Sequence, residues 1–273
     1  MAYRLLITLL FLIPNCAWAA SAPQGCEEHF LSGEMPIASP TRAQKTKQLC
    51  FSQFALLHSA LTKTPLWSAE HLTGERIDAA KGLKRKNPFH AETRLPPDDR
   101  AELSDYAGSG FDRGHMSPNG DMPDPKAQRE SFSLANMIPQ HPCNNEVIWA
   151  GIEDSVRALT EDQDEVYVVT GPVFLRASQL EQAGAQQQQI GNGVLVPAQV
   201  YKAIYVPTLN QAGAYLTQNT DGTEFRKLSL QELATLIDID VFPNLSQSIK
   251  TTAMDLPPPG PARFKCRLHN DQP

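Results

Sequence analysis

The sequence predicts a mixed α+β protein, a central antiparallel sheet flanked by helices, and three patterns carry that prediction. Apolar runs of strand character recur on both sides of the chain's middle. A helical period runs through residues 145–160, and a capping box opens another helix at Ser229. The 273 residues allow one large domain or two small ones, and 41% hydrophobic against 20% charged composition is that of a globular chain with a sizeable core.

The elements follow in order. Arg4 precedes an apolar stretch from Leu5 to Ile13, interrupted only by Thr8; Pro14 ends it, and Ala17-Trp18-Ala19 has the small-x-small form of a cleavage site. The stretch is too short for a membrane span. These features predict a signal peptide over residues 1–20, a single domain over 21–273, and a periplasmic or secreted protein with no membrane partner in its mature form. Cleavage removes Cys16 and leaves Cys26, Cys50, Cys143 and Cys266, enough for two disulfides with three available connectivities. Cys26–Cys50, closing a short N-terminal loop, and Cys143–Cys266, pinning the tail to the central region, are favoured. Zinc at Cys143 with His141 is a weaker alternative, since no CxxC pair exists.

Residues 21–48 read as irregular, rich in Pro, Gly and Ser, and residues 54–58 and 61–67 as strands. Residues 81–100 read as a long surface loop carrying the basic cluster Lys81, Lys84, Arg85 and Lys86. A helix is expected over 125–134 and a second from Asn144 or Asn145 to Thr160, with an Asn as N-cap. Strands are expected over 166–170, 193–206 and 214–218, the second opened by an Asn192-Gly193 hairpin turn. Ser229-Leu-Gln-Glu232 caps a helix with Leu230, Leu233, Leu236 and Ile237 on one side, and residues 257–261 form an extended tail.

The formal net charge of −6 excludes a global basic field for nucleic acid, though not a local basic cleft. Candidate chemistry concentrates in Gly108-Ser-Gly-Phe-Asp-Arg-Gly-His-Met-Ser-Pro-Asn-Gly-Asp121, where Asp112, Arg113, Gly114 and His115 are consecutive. Gly114 permits an unusual backbone angle or a close approach that turns His115 into a cleft. A neighbouring acid and guanidinium can orient an imidazole and attract a phosphate. Alone, the stretch reads equally as a polar turn with a satisfied histidine. A second cluster, Asn145, Trp149, Glu153 and Arg157, repeats every four residues beside a core seam of Ile148, Ile152, Val156 and Leu159. Alone, that pattern is an ordinary amphipathic helix with a Glu153–Arg157 surface pair, worth some tenths of a kcal/mol.

Together the clusters say more. Phe111-Asp-Arg-Gly-His-Met-Ser-Pro118, then Ser131-Phe-Ser-Leu-Ala-Asn-Met-Ile-Pro-Gln140, then Asn145-Glu-Val-Ile-Trp-Ala-Gly-Ile-Glu153 resemble, in this order, the DNA/RNA non-specific endonuclease family. Its pattern is Asp-Arg-Gly-His, Asn-x-x-Pro-Gln and Asn-x-x-x-Trp-x-x-x-Glu. Weaker likeness at residues 65–67, 73–76 and 238–242 extends the resemblance over about residues 50 to 245. The resemblance implies a ββα-metal fold and one-metal hydrolysis of DNA and RNA. His115 would be the general base and Asn145 the direct ligand of Mg²⁺, with Mn²⁺ as a substitute. Glu153 would act on the metal through a water, Asp112 would sit near base and metal, and Asn136 would help order the metal site. Arg113, Arg157 and, on a shorter match, Arg76 would stabilise transition-state charge. Products would carry 5′-phosphate and 3′-hydroxyl ends, with little base or sugar selectivity, because the backbone phosphate is the target. The competing readings are a nucleic-acid-binding module that keeps the fold without turnover and a phosphodiesterase for small nucleotides. No inhibitor partner or oligomeric state is legible.

Overall fold

The computed structural model describes residues 25–261 together with Cys266, and the leader expected over residues 1–20 lies outside them. In chain order the strands that matter here are β1 (Thr46–Cys50), β2 (Ala55–Ser59), β3 (Thr64–Thr73), β4 (Asp112–His115), β5 (Met137–Gln140), β6 (Glu165–Val173), β7 (Gln199–Val206), β8 (Gln211–Gln218) and β9 (Phe225–Leu228). Seven of them form one antiparallel sheet in the order β9-β8-β7-β6-β3-β2-β1, while β4 and β5 pair separately as a two-stranded ribbon. The helices that matter here are α1 (Gly74–Lys81), α2 (Pro125–Ser131), α3 (Ala150–Gln163) and α4 (Leu230–Ile237).

Strand periodicity sorts the central strands onto two covered faces. Val166 and Val168 of β6, with Val200, Ile204 and Val206 of β7, pack under Ile148, Trp149, Ile152 and Val156. Tyr167, Val169, Tyr201, Ala203 and Tyr205 point the other way, toward Leu230, Leu233 and Ile237 of α4 and the N-terminal Cys26 and Phe30. Burial on both faces explains why β6 and β7 read as nearly continuous apolar runs. The seam expected at Ile148, Ile152, Val156 and Leu159 is therefore the underside of α3. On the same face the alternation also places Ser68, Glu70, Thr170 and Lys202, all buried polar groups, beneath that helix.

The structure corrects several boundaries. The stretch expected to be irregular over 21–48 ends inside the edge strand β1, which already begins at Thr46, and the unpredicted α1 begins at Gly74, where Thr73 Oγ1 accepts from Arg76 N at 3.2 Å. The catalytic-motif helix starts at Pro142 and passes through a π turn (Asn144–Trp149) before α3, so neither Asn is an N-cap. Pro142 suits a first turn because its missing N–H has no helical partner there. The expected 193–206 strand is two pieces, Val194–Leu195 and Gln199–Val206, with Pro197 between them. Asn192-Gly193 does lie in a hairpin turn, between Gln189–Ile190 and Val194–Leu195, with Gly193 at φ +85°. The Ser229 capping box is present, and both favoured disulfides, Cys26–Cys50 and Cys143–Cys266, are formed. No described helix is long and apolar enough to cross a membrane.

Candidate active site

The site begins with the ribbon. Asp112 to His115 pair with Gln140 to Met137, and the strands come so close that a Cβ on Gly114 would lie 2.6 Å from Gln140 Cβ. Close approach, not an unusual backbone angle, is why glycine stands there. His115 is thereby carried into a pocket against Phe132 and Phe89, with ring centroids 4.8 and 5.8 Å away, and its Nε2 is buried with no hydrogen-bond partner among the described residues. Asn136 holds the strand's exit. Its Oδ1 accepts from Ser117 N at 3.0 Å, and its Nδ2 donates to Ser117 O at 2.8 Å and Ser131 O at 2.9 Å.

The opposite wall is the π turn and α3. A wide turn offsets the helical phase, and such turns recur at functional positions. Here Asn144 is buried and tied to the sheet, donating to Gln218 O at 2.7 Å and Thr217 Oγ1 at 3.0 Å. Asn145 instead faces the cleft and donates from Nδ2 to Asp112 Oδ2 at 2.9 Å, so the two strongest motif segments meet in one hydrogen bond.

Between these walls lies a cleft of about 410 Å³ lined by Arg85, Arg113 and His115 on one side, Asn145, Glu153, Asp154 and Arg157 on the other, with Asn119 and Gly120 between. The guanidiniums are held in different ways. Arg113 lies 4.2 Å over the Phe89 ring, and Arg85 5.6 Å over Phe132. Arg157 donates to Asp121 Oδ1 at 2.8 Å and Asp154 Oδ1 at 2.5 Å. The expected surface pair with Glu153 is replaced by these two partners.

Burial dominates the electrostatics of both walls, with opposite results. Burial pushes the His115 imidazole down to about 3, with Arg85 and then Arg113 adding to the effect, so it is neutral at ordinary pH. Burial pushes the Glu153 carboxyl up to about 7, opposed by Arg157 and Lys202 and assisted by Asp121 and Asp154. Burial works against the charge of Arg157 too, but Asp121 and Glu153 outweigh it and keep the guanidinium protonated.

Not every predicted residue reaches the cleft. Arg76, expected to stabilise transition-state charge, is buried below it. It pairs with Glu70 Oε2 at 3.0 Å and donates to Asp121 O at 2.7 Å, His71 O at 2.8 Å and Gln53 O at 2.9 Å. All its donors are engaged within the protein, so it supports Asp121, the partner of Arg157, and faces no substrate. Asn136 and Asp112 likewise act through His115's loop and Asn145. Conversely, the sequence reading named Arg85 only as part of a basic surface cluster and Asp121 only as the end of the motif stretch, gave neither a role, and did not name Asp154. Asp154 was detectable from its position three residues before Arg157; nothing local in the sequence placed Arg85.

The cleft's donors fit a hard divalent cation. They are an amide oxygen from Asn145 and carboxylates from Glu153, Asp154 and Glu146, with no thiol among them. The compact Cys26–His29–Cys50 cluster elsewhere is not such a site, because both its sulfurs are joined in the disulfide. The zinc alternative at Cys143 likewise gives way to the Cys143–Cys266 bond.

Comparison with known proteins finds nucleases. Human mitochondrial nuclease EXOG is 31% identical over 245 residues, covering 81% of this chain and 66% of its own length. Human mitochondrial endonuclease G is 34% identical over 170 residues, 61% of this chain and 66% of its own. The chain thus spans just under two thirds of these relatives. A solved complex of EndoG with EndoGI, described as showing EndoG inhibition, superposes with a TM-score of 0.63 at 26% identity, covering 74% of this chain and 88% of that one. Relatives from Schizosaccharomyces pombe and Saccharomyces cerevisiae are also named mitochondrial nucleases, and together with the two human proteins they overturn the expected periplasmic or secreted location. The DNA/RNA non-specific endonuclease model matches residues 33–248, and with the ribbon, the π turn and the antiparallel sheet in place the chain belongs to that family.

Proposed function

We propose that the protein is a divalent-metal nuclease that hydrolyses phosphodiester bonds of DNA and RNA with little sequence or sugar selectivity, leaving 5′-phosphate ends. One observation carries the reading: a single cleft gathers a neutral buried histidine, an amide ligand, a carboxylate and three guanidiniums. Mg²⁺, or Mn²⁺ in its place, would supply positive charge at the phosphate and the departing 3′ oxygen. Asn145 would hold it by the amide oxygen, since Asp112 takes up the Nδ2 donor. Glu153 would complete the acidic side of the cleft, ionised by the cation's arrival. His115 takes the proton of the attacking water on a ring nitrogen, and its neutral form is the one that can accept it. Arg85, Arg113 and Arg157 bind the phosphate and offset the charge that grows on its oxygens. Because these groups address only the backbone, affinity for polymer falls steeply with salt. The continuous sheet built from Thr46 to Leu228 supports a single nuclease domain over residues 21–273.

The test is digestion of supercoiled plasmid and of RNA by the disulfide-bonded protein with Mg²⁺ and with EDTA, followed by end-labelling. Loss of both polymers only with Mg²⁺, yielding ends that ligase accepts without prior phosphorylation, is expected. Intact polymers across several divalent metals, with retained binding, would replace the proposal by a binding module. Cleavage confined to dinucleotides would replace it by a small-substrate phosphodiesterase.

A further inference from the structure

The family match ends at residue 248, yet the chain continues along the structure to Cys266 and returns to the site. Met254 N donates to Ala212 O at 2.7 Å, Leu256 is fully buried, and Tyr215 Oη donates to Pro257 O at 2.5 Å, so the segment first crosses β8. It then lies against the opening turn of α3. Ser155 Oγ donates to Pro258 O at 2.7 Å, and Gly260 N donates to Gly151 O at 2.8 Å.

The contact with α3 requires backbone against backbone. A Cβ on Gly151 would stand 2.6 Å from Gly260 O, and a Cβ on Gly260 would stand 3.3 Å from Asp154 Cβ. Glycine inside a helix weakens it by itself, so its presence between Trp149 and Glu153 answers to the approach of the tail. The segment ends at the disulfide with Cys143, the residue before the π turn that bears Asn145. The tail therefore grips both ends of the metal-facing stretch, at Cys143 before it and at Gly151 and Ser155 after it.

We infer that residues 254–261, together with Cys266, are a clamp that positions Asn145 for the metal, acting through the Cys143–Cys266 disulfide and the Gly151–Gly260 contact. This rests on the proposal that Asn145 is the metal ligand. None of the clamp residues lines the cleft. They hold a π turn whose own backbone hydrogen bonding is looser than that of a regular helix, and groups that orient a ligand typically change metal affinity about 10–100-fold.

The experiment measures Mn²⁺ binding by the electron paramagnetic resonance of free Mn²⁺, without nucleic acid, alongside amide exchange over residues 144–155 and the melting temperature. The proteins compared are wild type, C143A/C266A, G151A, C26A/C50A and N145A. Both clamp variants should bind Mn²⁺ about tenfold more weakly and exchange faster over 144–155. The distant disulfide variant C26A/C50A should match wild type in both readouts, whatever its melting temperature. The sign for G151A is diagnostic, because alanine would slow exchange if helix propensity alone mattered. Mn²⁺ affinity within twofold of wild type in both clamp variants, or equal weakening in C26A/C50A, overturns the clamp. If N145A retains wild-type Mn²⁺ binding, the ligand assignment itself falls and the inference with it. If N145A loses binding while the clamp variants keep it, the inference alone falls.

Discussion

The two walls of the cleft are built from opposite materials. The ribbon wall is dry and aromatic, with His115 between Phe89 and Phe132 and cations at Arg85 and Arg113. The helix wall is acidic, with Glu153, Asp154 and Arg157 beside Asn145. Burial favours the neutral form on both sides, yet neutrality serves one and not the other. A neutral imidazole already carries the lone pair of a general base, and the negative charge of a phosphate beside it would raise the basicity that burial lowers. A carboxyl raised to about 7 is an incomplete site that a divalent cation would complete. The difference teaches that the ribbon wall is pre-organised by the protein alone, whereas the helix wall is organised for a guest.

Removing the base gives the sharpest test of that contrast. His115→Ala should lower kcat on plasmid by about 10³-fold with little change in KM, since general-base assistance contributes about 10²–10⁴. Metal affinity should be unchanged, because the imidazole stands on the other wall. A His115→Ala protein that loses metal binding with its rate would break the division between the walls.

The complementary change is Asn145→Ala. It should weaken Mg²⁺ by about 10²-fold while His115 keeps its depressed titration, and much of the rate should return at high Mg²⁺. Titrating activity against Mg²⁺ for the variant and wild type separates the cases. A rate that stays low at saturating metal would mean that Asn145 does more than hold the ion.

Metal-free stability should distinguish the walls by sign. His115, with a native value near 3 against an ordinary 6.5, leaves the unfolded state binding more protons between those values, so stability falls as pH drops from 6.5 toward 3. Glu153, raised from 4.5 to about 7, leaves the native state binding more protons, so stability falls as pH rises from 4.5 to 7. Each slope is at most about 1.4 kcal/mol per pH unit. Urea melts in EDTA should therefore show His115→Asn gaining on wild type as pH falls below 6.5, and Glu153→Gln gaining as pH rises above 4.5. Parallel curves for wild type and both variants would show that neither group is desolvated in solution.

How much of this was legible in the sequence follows the same division. Asp112, Arg113, His115, Asn145 and Glu153 lie in short contiguous motifs whose order and spacing survive without a fold, and the structure brings all but Asp112 to one cleft, with Asp112 bonded to Asn145. The sheet was legible because β6, β7 and β8 carry mostly apolar runs. The floor was not. Arg76 sits in a motif-like segment, but its meaning depends on Glu70 six residues back on β3 and on Asp121 far along the chain. Lys202, buried in β7 with its Nζ on Thr170 Oγ1 at 2.7 Å, is one charge in an apolar run and announces nothing by itself. The π turn was invisible because the four-residue spacing of Asn145, Trp149 and Glu153 reads as that of an ordinary helix.

Arg85 is where the ribbon wall can be adjusted most finely. It comes from the loop between α1 and the ribbon, steadied by its Nε on Asn87 Oδ1 at 2.8 Å and by the neighbouring Lys86 N on Gln128 Oε1 at 3.2 Å. Its charge is the second contributor, after burial, to the depressed His115 titration. Arg85→Gln keeps a polar side chain and removes only the charge. The His115 titration, followed by the imidazole carbon-bound proton in NMR, should therefore rise by less than about one pH unit, because burial remains in force. The same substitution should weaken polymer binding and flatten its salt dependence by about one phosphate contact. A large rise toward 6.5 would instead mean that the arginines, and not the aromatic pocket, keep the base neutral, and the ribbon wall would then be as dependent on its charges as the helix wall is on its cation.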